Sequence, residues 1–356
     1  MKNLAVVFGG ASAEHDVSIL TGLKICKLLR RTYNLLPIYF SLDNKFYYLK
    51  NINFSDYNDK EKLTTLGKRI EFVRGSIYIH NKKKLKHYLD VDNVINCCHG
   101  GAGENGELYS YLKLNEINCS SGFYSNAICT NKYILKQVAK SLNINVKNSV
   151  LINSSNVDEK IKYIKENFKQ EVIVKPNNLG SSIGIIKSNH TNIKEITELI
   201  LHLDSQVIVE EYIPKIEELR CAIIVHKNTI CFSQIEKIKL KNDIFSFEDK
   251  YVNKVSTREL PAKVSDDIKT NIYEICKRLH ENLNFSGVVE FQFFYDKSEK
   301  GLYLNEVNTV PKNLCVELFE GLGISGKMMA EYFIEDKSKI KKQTYFNSDI
   351  LYKIDL

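Results

Sequence analysis

The stretch GVVEFQFFYDKSEKGLYLNEVNT, Gly287–Thr309, sets two alternating apolar runs on either side of a polar turn. In an extended chain successive side chains point to opposite faces. Val288, Glu290, Gln292 and Phe294 then share one face; Val289, Phe291, Phe293 and Tyr295 share the other. In the second run Leu302, Leu304, Glu306 and Asn308 share a face. A turn centred near Glu299 sets Gln292 opposite Glu306. Such a hairpin needs an antiparallel sheet with an apolar core behind it. Its other side gathers Glu290, Gln292, Glu306 and Asn308. Carboxylate and amide oxygens are hard ligands suited to Mg²⁺, which takes one or two carboxylates plus substrate phosphates. The ordinary alternative is a strand side that faces solvent.

With 356 residues the chain has room for two or three domains. At 44% hydrophobic and 26% charged it can bury several cores. A net charge of +7 is mild at this length. It is compatible with an anionic ligand and does not call for nucleic acid. The nine cysteines form no CxxC pair and no Cys/His cluster with zinc spacing. Cys97 and Cys98 fall inside an apolar run and read as core. The N-terminal MKNLAVVFGG has no long apolar signal segment, and no run approaches the ~20 apolar residues of a membrane span. A cytoplasmic protein with reduced thiols is the expectation.

LAVVFGG is a short strand ending in a glycine pair, followed by a helical period with Ser12 or Ser18 near its start. NLLPIYFSL is a second strand and Val91–Cys98 a third, ending at the Gly-rich HGGAGENGELYSYLKL. Strands alternating with helices indicate a parallel α/β sheet with ligands at the carboxyl ends of its strands. A helix near Lys132–Leu142 leads into a second unit. There EVIVKP, IIKS, QVIVEEYIP and LRCAIIVHKNTICFSQIEKIKL read as strands, Ile193–Leu203 and Ile268–Leu283 as helices, and residues 241–262 as a polar loop. The fold class expected is α/β followed by α+β. The boundaries expected are 1–125 for an N-terminal α/β domain, 126–212 for a central unit and 213–345 for a C-terminal unit carrying the hairpin.

KPNNLGSSIG, Lys175–Gly184, puts a lysine at a strand end before a Gly/Ser loop. That suits polyphosphate, because backbone N–H groups can approach closely where no side chain intervenes. No GKS or GKT follows, so it is not a Walker A loop; a plain hairpin turn is the alternative. Glu210 and Glu211 end another apolar strand, and Glu218 follows. Such carboxylates can hold ribose hydroxyls, or can form a solvated acidic edge.

These stretches, in this order, resemble the D-alanine–D-alanine ligase family of the ATP-grasp superfamily. FGGASAEHDVS, HGGAGENGELYSYL, CTNKYILK, VIVKPNNLGSSIGI, VEEYI and YLNEVNTVP each match a family motif, over about residues 1–335. The resemblance implies an N-terminal domain and a two-part ATP-grasp domain with ATP between its halves. It implies that Lys132 and Lys175 contact phosphates and that Ser181, Ser182 and Ile183 belong to a loop closing over them. Glu210, Glu211 and Ile213 would line an adenine hinge, and Glu218 would hold the ribose. Gln292, Glu306 and Asn308 would take the Mg²⁺ (or Mn²⁺) positions. Lys250 would sit near phosphate, Tyr251 would join Ser181 and Glu14 in a hydrogen-bonded group, Glu14 would bind the first amino acid's ammonium group, and His99 would lie near its carboxylate. The implied reaction is a carboxylate–amine ligation through an acyl phosphate, releasing ADP and phosphate, for peptidoglycan precursor synthesis. Small amino acids and ATP are the implied partners; a homodimer stays open.

Two departures stand out. Where the family has Arg and Asp on the first hairpin strand, this chain has Glu290 and Gln292. Glutamine keeps an oxygen ligand. The glutamate removes a cation that the family uses for the oxyanion and the second substrate's carboxylate, and loss of one oxyanion donor typically costs ~3 kcal/mol. After NTVP, Lys312 and Glu317 replace a glycine and a serine. Glu317 beside an incoming carboxylate would repel it by a few kcal/mol at an effective dielectric of about 20; Lys312 could compensate. Three readings follow: an ordinary D-alanine–D-alanine ligase, a relative with a different, cationic or carboxylate-free acceptor, and a nucleotide-binding protein without turnover.

Overall fold

The computed structural model describes residues 2–50, 57, 59–82, 84–226, 229–239 and 257–335. Their architecture is three sheets in chain order, each with its own helices and apolar core.

The first sheet runs β6-β5-β4-β3-β2-β1-β7. Its strands are β1 Asn3–Gly9, β2 Asn34–Phe40, β3 Phe46–Tyr48, β4 Lys68–Val73, β5 Ser76–Asn81, β6 Lys84–Asp90 and β7 Asn93–Asn96. The expected parallel arrangement holds for β1, β2 and β7. From β3 to β6 the strands are antiparallel, a meander on one edge that the sequence reading did not resolve. β1 is buried on both faces, which explains its unbroken LAVVF run. The glycine pair after it is a steric requirement: Gly9 has φ +100°, and a Cβ there would lie 2.3 Å from the Phe40 carbonyl oxygen. The chain can therefore turn directly off the sheet into helix His15–Leu29.

The second sheet runs β10-β9-β11-β8: β8 Ser149–Ile152, β9 Glu171–Pro176, β10 Ile186–Asn189 and β11 Val207–Glu211, all antiparallel. Helices Val157–Asn167 and Ile193–Leu201 cover one face with Ile161, Ile164, Ile193 and Ile200. Helix Lys132–Ser141 starts with Asn131, whose side chain accepts from the Ile134 N–H as an N-cap.

The third sheet contains β12 Glu217–His226, β13 Thr229–Phe232, β14 Glu236–Lys239, β15 Thr257–Glu259, β16 Val288–Asp296 and β17 Gly301–Asn308. β15 lies within the stretch expected to be loop; most of that stretch falls outside the described residues. Helix Asp266–Leu283, capped by Ser265, buries Ile272, Ile275, Cys276 and Leu279 behind the sheet.

The hairpin β16–β17 has the expected register at its functional end, with Gln292 opposite Glu306 and Glu290 opposite Asn308. One expectation is corrected. Leu302 and Leu304 do not share a face with Glu306 and Asn308. They pack with Val289, Phe291, Phe293 and Val307 in the core. The register shifts after Gln292, where Phe293 pairs with Leu304, so Asn305 is an extra residue. A bulge of one residue reverses the in–out parity beyond it. The core leucines and the polar pair thus follow one another on one strand while facing opposite sides.

Candidate active site

A pocket of about 150 Å³ opens where the three sheets meet. The N-terminal unit contributes Glu14, Val17, His99 and Glu104. The loop after β9 contributes Gly180 and Ser181. The third sheet and the segment after it contribute Glu218, Arg220, Glu290, Gln292, Glu306, Asn308 and Lys312.

Glu14 occupies the position just before the first helix, and its backbone N–H donates to Ser12 Oγ at 3.2 Å. Ser12 Oγ in turn donates to the His99 carbonyl at 2.6 Å, which ties the two Gly-rich turns together. His99 is buried, with its ring 2.9 Å from Thr21 Oγ1 and its backbone N–H donating to Ser18 Oγ at 2.8 Å. Burial lowers the His99 pKa, and the nearby Glu14 carboxylate works against that. Ser12 and Ser18 therefore do not cap the helix through their side chains, as their positions suggested; they brace the second turn.

Glu104 was not singled out from the sequence, although it sits inside the quoted GGAGENGE stretch. Its carboxylate accepts from the Gly100 N–H at 2.7 Å. Desolvation first, and the Glu14 charge second, raise its pKa from 4.5 to about 8.

The loop after β9 is tied down at both ends. At its base, Lys132 N–H donates to the Asn177 carbonyl, and Asn178 is held by Asp204. Lys132 Nζ donates to the Leu179 carbonyl at 2.5 Å and lies 3.7 Å from Glu306. At its tip, Ser181 Oγ donates to Glu14. Gly180 leaves room for this closure: a Cβ there would stand 2.6 Å from a Glu14 oxygen and push that carboxyl group aside. Ser181 and Ser182 both have positive φ, 52° and 59°. Ser182 and Ile183 are half-buried beside them. The Glu14–Ser181 pair expected from the sequence is thus formed. Tyr251 and Lys250, expected to join it, lie outside the described residues.

Lys175 is buried and ion-paired to Glu210 at 3.0 Å; Lys136 makes the same distance to the same carboxylate. Lys147 is buried next to them, its ammonium 4.3 Å from the centre of the Phe294 ring. Burial alone would push the Glu210 pKa up, but Lys136, Lys175 and Lys147 hold it far below the usual carboxylate range. The Glu210 side chain therefore serves the lysines. Glu211 is half-buried and accepts from Asn148 at 3.3 Å; Ile213 is half-buried two residues on. Lys136 and Lys147 are additions that sequence reading missed. Spacing from Lys132 to Lys136 puts both on neighbouring turns of one helix, which was the available signal.

The two anomalies find a common partner. Arg220, on β12, donates through Nε to Glu236, through one terminal nitrogen to Glu290 at 2.9 Å and through the other to Glu317 at 3.1 Å. Glu290 also accepts from Asn308 at 3.1 Å. Burial opposes the Arg220 charge, but Glu290 and Glu236 more than offset it, and its pKa rises. Glu290 and Glu317 are therefore half of an ion-pair cluster, contrary to the expectation that they stand ready for a cationic acceptor. Lys312 is exposed and lines the same pocket. Gln292 and Glu306 remain directly opposed on the pocket side, and the Asn308 amide nitrogen faces Glu290.

The chain that builds this pocket is similar to known proteins. A family model described as "D-ala D-ala ligase N-terminus" matches residues 3–121, and one described as "D-ala D-ala ligase C-terminus" matches residues 138–320. The D-alanine–D-alanine ligase of Thermosipho melanesiensis is 31% identical over 99% of this chain and 98% of its own length. That of Wigglesworthia glossinidia brevipalpis is 27% identical over 96% of this chain and 97% of its own. Among solved structures, the Helicobacter pylori D-alanine–D-alanine ligase superposes with a TM-score of 0.76 at 25% identity, covering 93% of this chain and 98% of that one. The VanG D-Ala:D-Ser ligase of Enterococcus faecalis gives 0.80 at 24%, covering 94% and 98%, a likeness of fold. With both halves matched by the family models and a relative above 30% identity across the whole length, the chain belongs to the D-alanine–D-alanine ligase family.

Proposed function

We propose that the chain joins D-alanine to D-alanine with ATP, making a dipeptide for peptidoglycan precursors, in the cytoplasm. The observation that supports it best is the Glu14–Ser181 bridge, which closes the Gly/Ser loop over a pocket holding His99, Gln292, Glu306 and Asn308. In this reading the first amino acid's carboxylate accepts the γ-phosphoryl group of ATP, giving an acyl phosphate and ADP. The amine of the second then attacks the acyl carbon, and phosphate leaves. An acyl phosphate hydrolyses readily, so a bridge that holds the loop shut against water has a chemical use.

Glu14 would take the first ammonium group. His99, kept neutral by burial, would face the first carboxylate without adding a charge. Lys132 and Lys175 would offset phosphate charge. Three buried lysines, Lys136, Lys147 and Lys175, surround the Glu210 carboxylate, and a local excess of buried positive charge favours a polyanion. Glu218, buried in the same pocket, fits a ribose-binding role. Glu210, Glu211 and Ile213 fit a hinge beside the adenine through their strand rather than through the Glu210 carboxylate. Gln292, Glu306 and the Asn308 oxygen fit a divalent ion by donor type, and Mg²⁺ bound there would neutralise the phosphates. The boundaries near 125 and 212 would separate a substrate unit from the two ATP-grasp units.

The cationic-acceptor reading loses its electrostatic basis, since Glu290 and Glu317 are both paired to Arg220. The test is incubation with ATP, Mg²⁺ and D-alanine, followed by mass spectrometry of the product and assay of released phosphate. D-alanyl-D-alanine with stoichiometric ADP is expected. Nucleotide binding without ADP formation under any amino-acid mixture would replace ligase by sensor.

A further inference from the structure

We infer that Arg220 is the acceptor-side cation of this enzyme, held in place by Glu236, Glu290 and Glu317, and that it requires an acceptor amine carrying its own carboxylate. The inference rests on the ligase reading above and deepens it.

A guanidinium has five N–H donors in a rigid planar fork. Glu236, Glu290 and Glu317 take one donor from each nitrogen. Among the described residues, one donor remains on each terminal nitrogen. A buried N–H without an acceptor is costly, so the two remaining donors call for oxygen atoms. Arg220 is 8% exposed and lines the pocket. In the ligase reading this pocket is where the two amino acids meet; Glu14 and His99 line it too, and Gln292 lies directly across from Arg220 in the strand register.

The surrounding charges fit a positioning role. Arg220, Arg258 and Lys312 bring three positive charges to this end of the pocket, against Glu236, Glu290 and Glu317; Arg258 lies 3.8 Å from Glu236. These six charges cancel formally, which offsets the repulsion that Glu290 and Glu317 alone would exert on an incoming carboxylate. Three carboxylates from three separate segments, β14, β16 and the short helix Val316–Glu320, fix the plane of the fork. Glu290 and Glu317 are then positioning residues that act through Arg220. Because Glu290 touches Arg220 at 2.9 Å from the neighbouring strand, a guanidinium rooted at 290 could occupy nearly the same space.

The experiment compares D-alanine with D-alaninamide as acceptor and resolves the two apparent KM values. The wild type is expected to prefer D-alanine at least tenfold. Arg220→Gln should raise the acceptor KM at least tenfold, move the donor KM less than threefold, and erase the preference over the amide. The double variant Arg220→Gln/Glu290→Arg should restore both the preference and the acceptor KM to within a few-fold of wild type. Glu290→Gln/Glu317→Gln keeps Arg220 and loosens it; it should raise the acceptor KM while the donor KM stays. Equal effects on both KM values, or a double variant no better than Arg220→Gln, would overturn the inference and leave the ligase intact. So would a wild type that takes the amide equally well. No ligated product with any amine would remove the ligase reading and this inference together.

Discussion

At the residue scale, two groups of the site give direct tests. Ser181 donates to the Glu14 carboxyl group, and hydrogen bonds to carboxylates contribute about 1.5–3 kcal/mol. Ser181→Ala should therefore lower kcat/KM for dipeptide formation by about 10- to 100-fold, at 1.4 kcal/mol per decade. Futile phosphate release with D-alanine alone should rise as the loop opens; a variant with wild-type coupling of ADP to dipeptide would argue against the bridge as a water seal. Glu104 tests pH. Its folded-state pKa near 8 exceeds its ordinary 4.5, so between these values the folded state holds a proton that the unfolded chain releases. That contribution to stability is full below pH 4.5 and is lost as pH rises through 8. Denaturation midpoints should fall between pH 6 and 8.5 more steeply in wild type than in Glu104→Gln; parallel profiles would remove Glu104 from the account. Glu14, His99, Gln292, Glu306 and Asn308, which line the pocket, could be picked out because each sits in a stretch of distinctive wording. Arg220 could not. It stands alone inside the apolar LRCAIIV, and its partners lie 16, 70 and 97 residues away, so only the sheet reveals them.

At the element scale, the strands were largely readable from period and from turn residues, and the failures share one cause. β3 to β6 are short and partly exposed, so their apolar alternation is weak. The bulge at Asn305 carries no glycine or proline to announce it, and it decides which way Glu306 and Asn308 face. Deleting Asn305 leaves Leu304 directly before Glu306, so regular alternation keeps Glu306 and Asn308 on the pocket side and Val307 in the core. The deletion variant is therefore expected to fold, with Tm within about 5 °C of wild type, and to retain ligation. Asn305→Ala keeps the bulge while losing the 3.5 Å contact to Lys175, and should behave alike. A deletion variant as stable as Asn305→Ala that no longer ligates would mean that the bulge shapes the site beyond the parity it sets.

At the scale of the whole molecule, the pieces are held together by charge as well as by apolar packing. Lys136 comes from the helix that precedes the second sheet, Lys175 from β9, Glu210 from β11, and Lys147 leans on Phe294 of the third sheet. Burial, outweighing the help from Glu210, takes the Lys147 pKa down to about 8. Three lysines crowded around the Glu210 carboxylate repel one another, and a bound polyphosphate would add counter-charge. Removing one member of a buried pair typically costs 3–5 kcal/mol. Glu210→Gln should therefore unfold at a clearly lower temperature than wild type when no nucleotide is present. ATP with Mg²⁺ at about 100 times its Kd adds about 2.7 kcal/mol to wild type by mass action. The gain should be larger in Glu210→Gln, whose lysines lack their internal counter-charge. It should be smaller in Lys147→Met, which removes one of the excess charges and should by itself raise the nucleotide-free Tm. Thermal unfolding of the three proteins with and without ATP·Mg²⁺ measures all of these. If the three nucleotide-induced shifts are equal, the buried lysines are structural, and the phosphates must be held by Lys132 and the Gly/Ser loop alone.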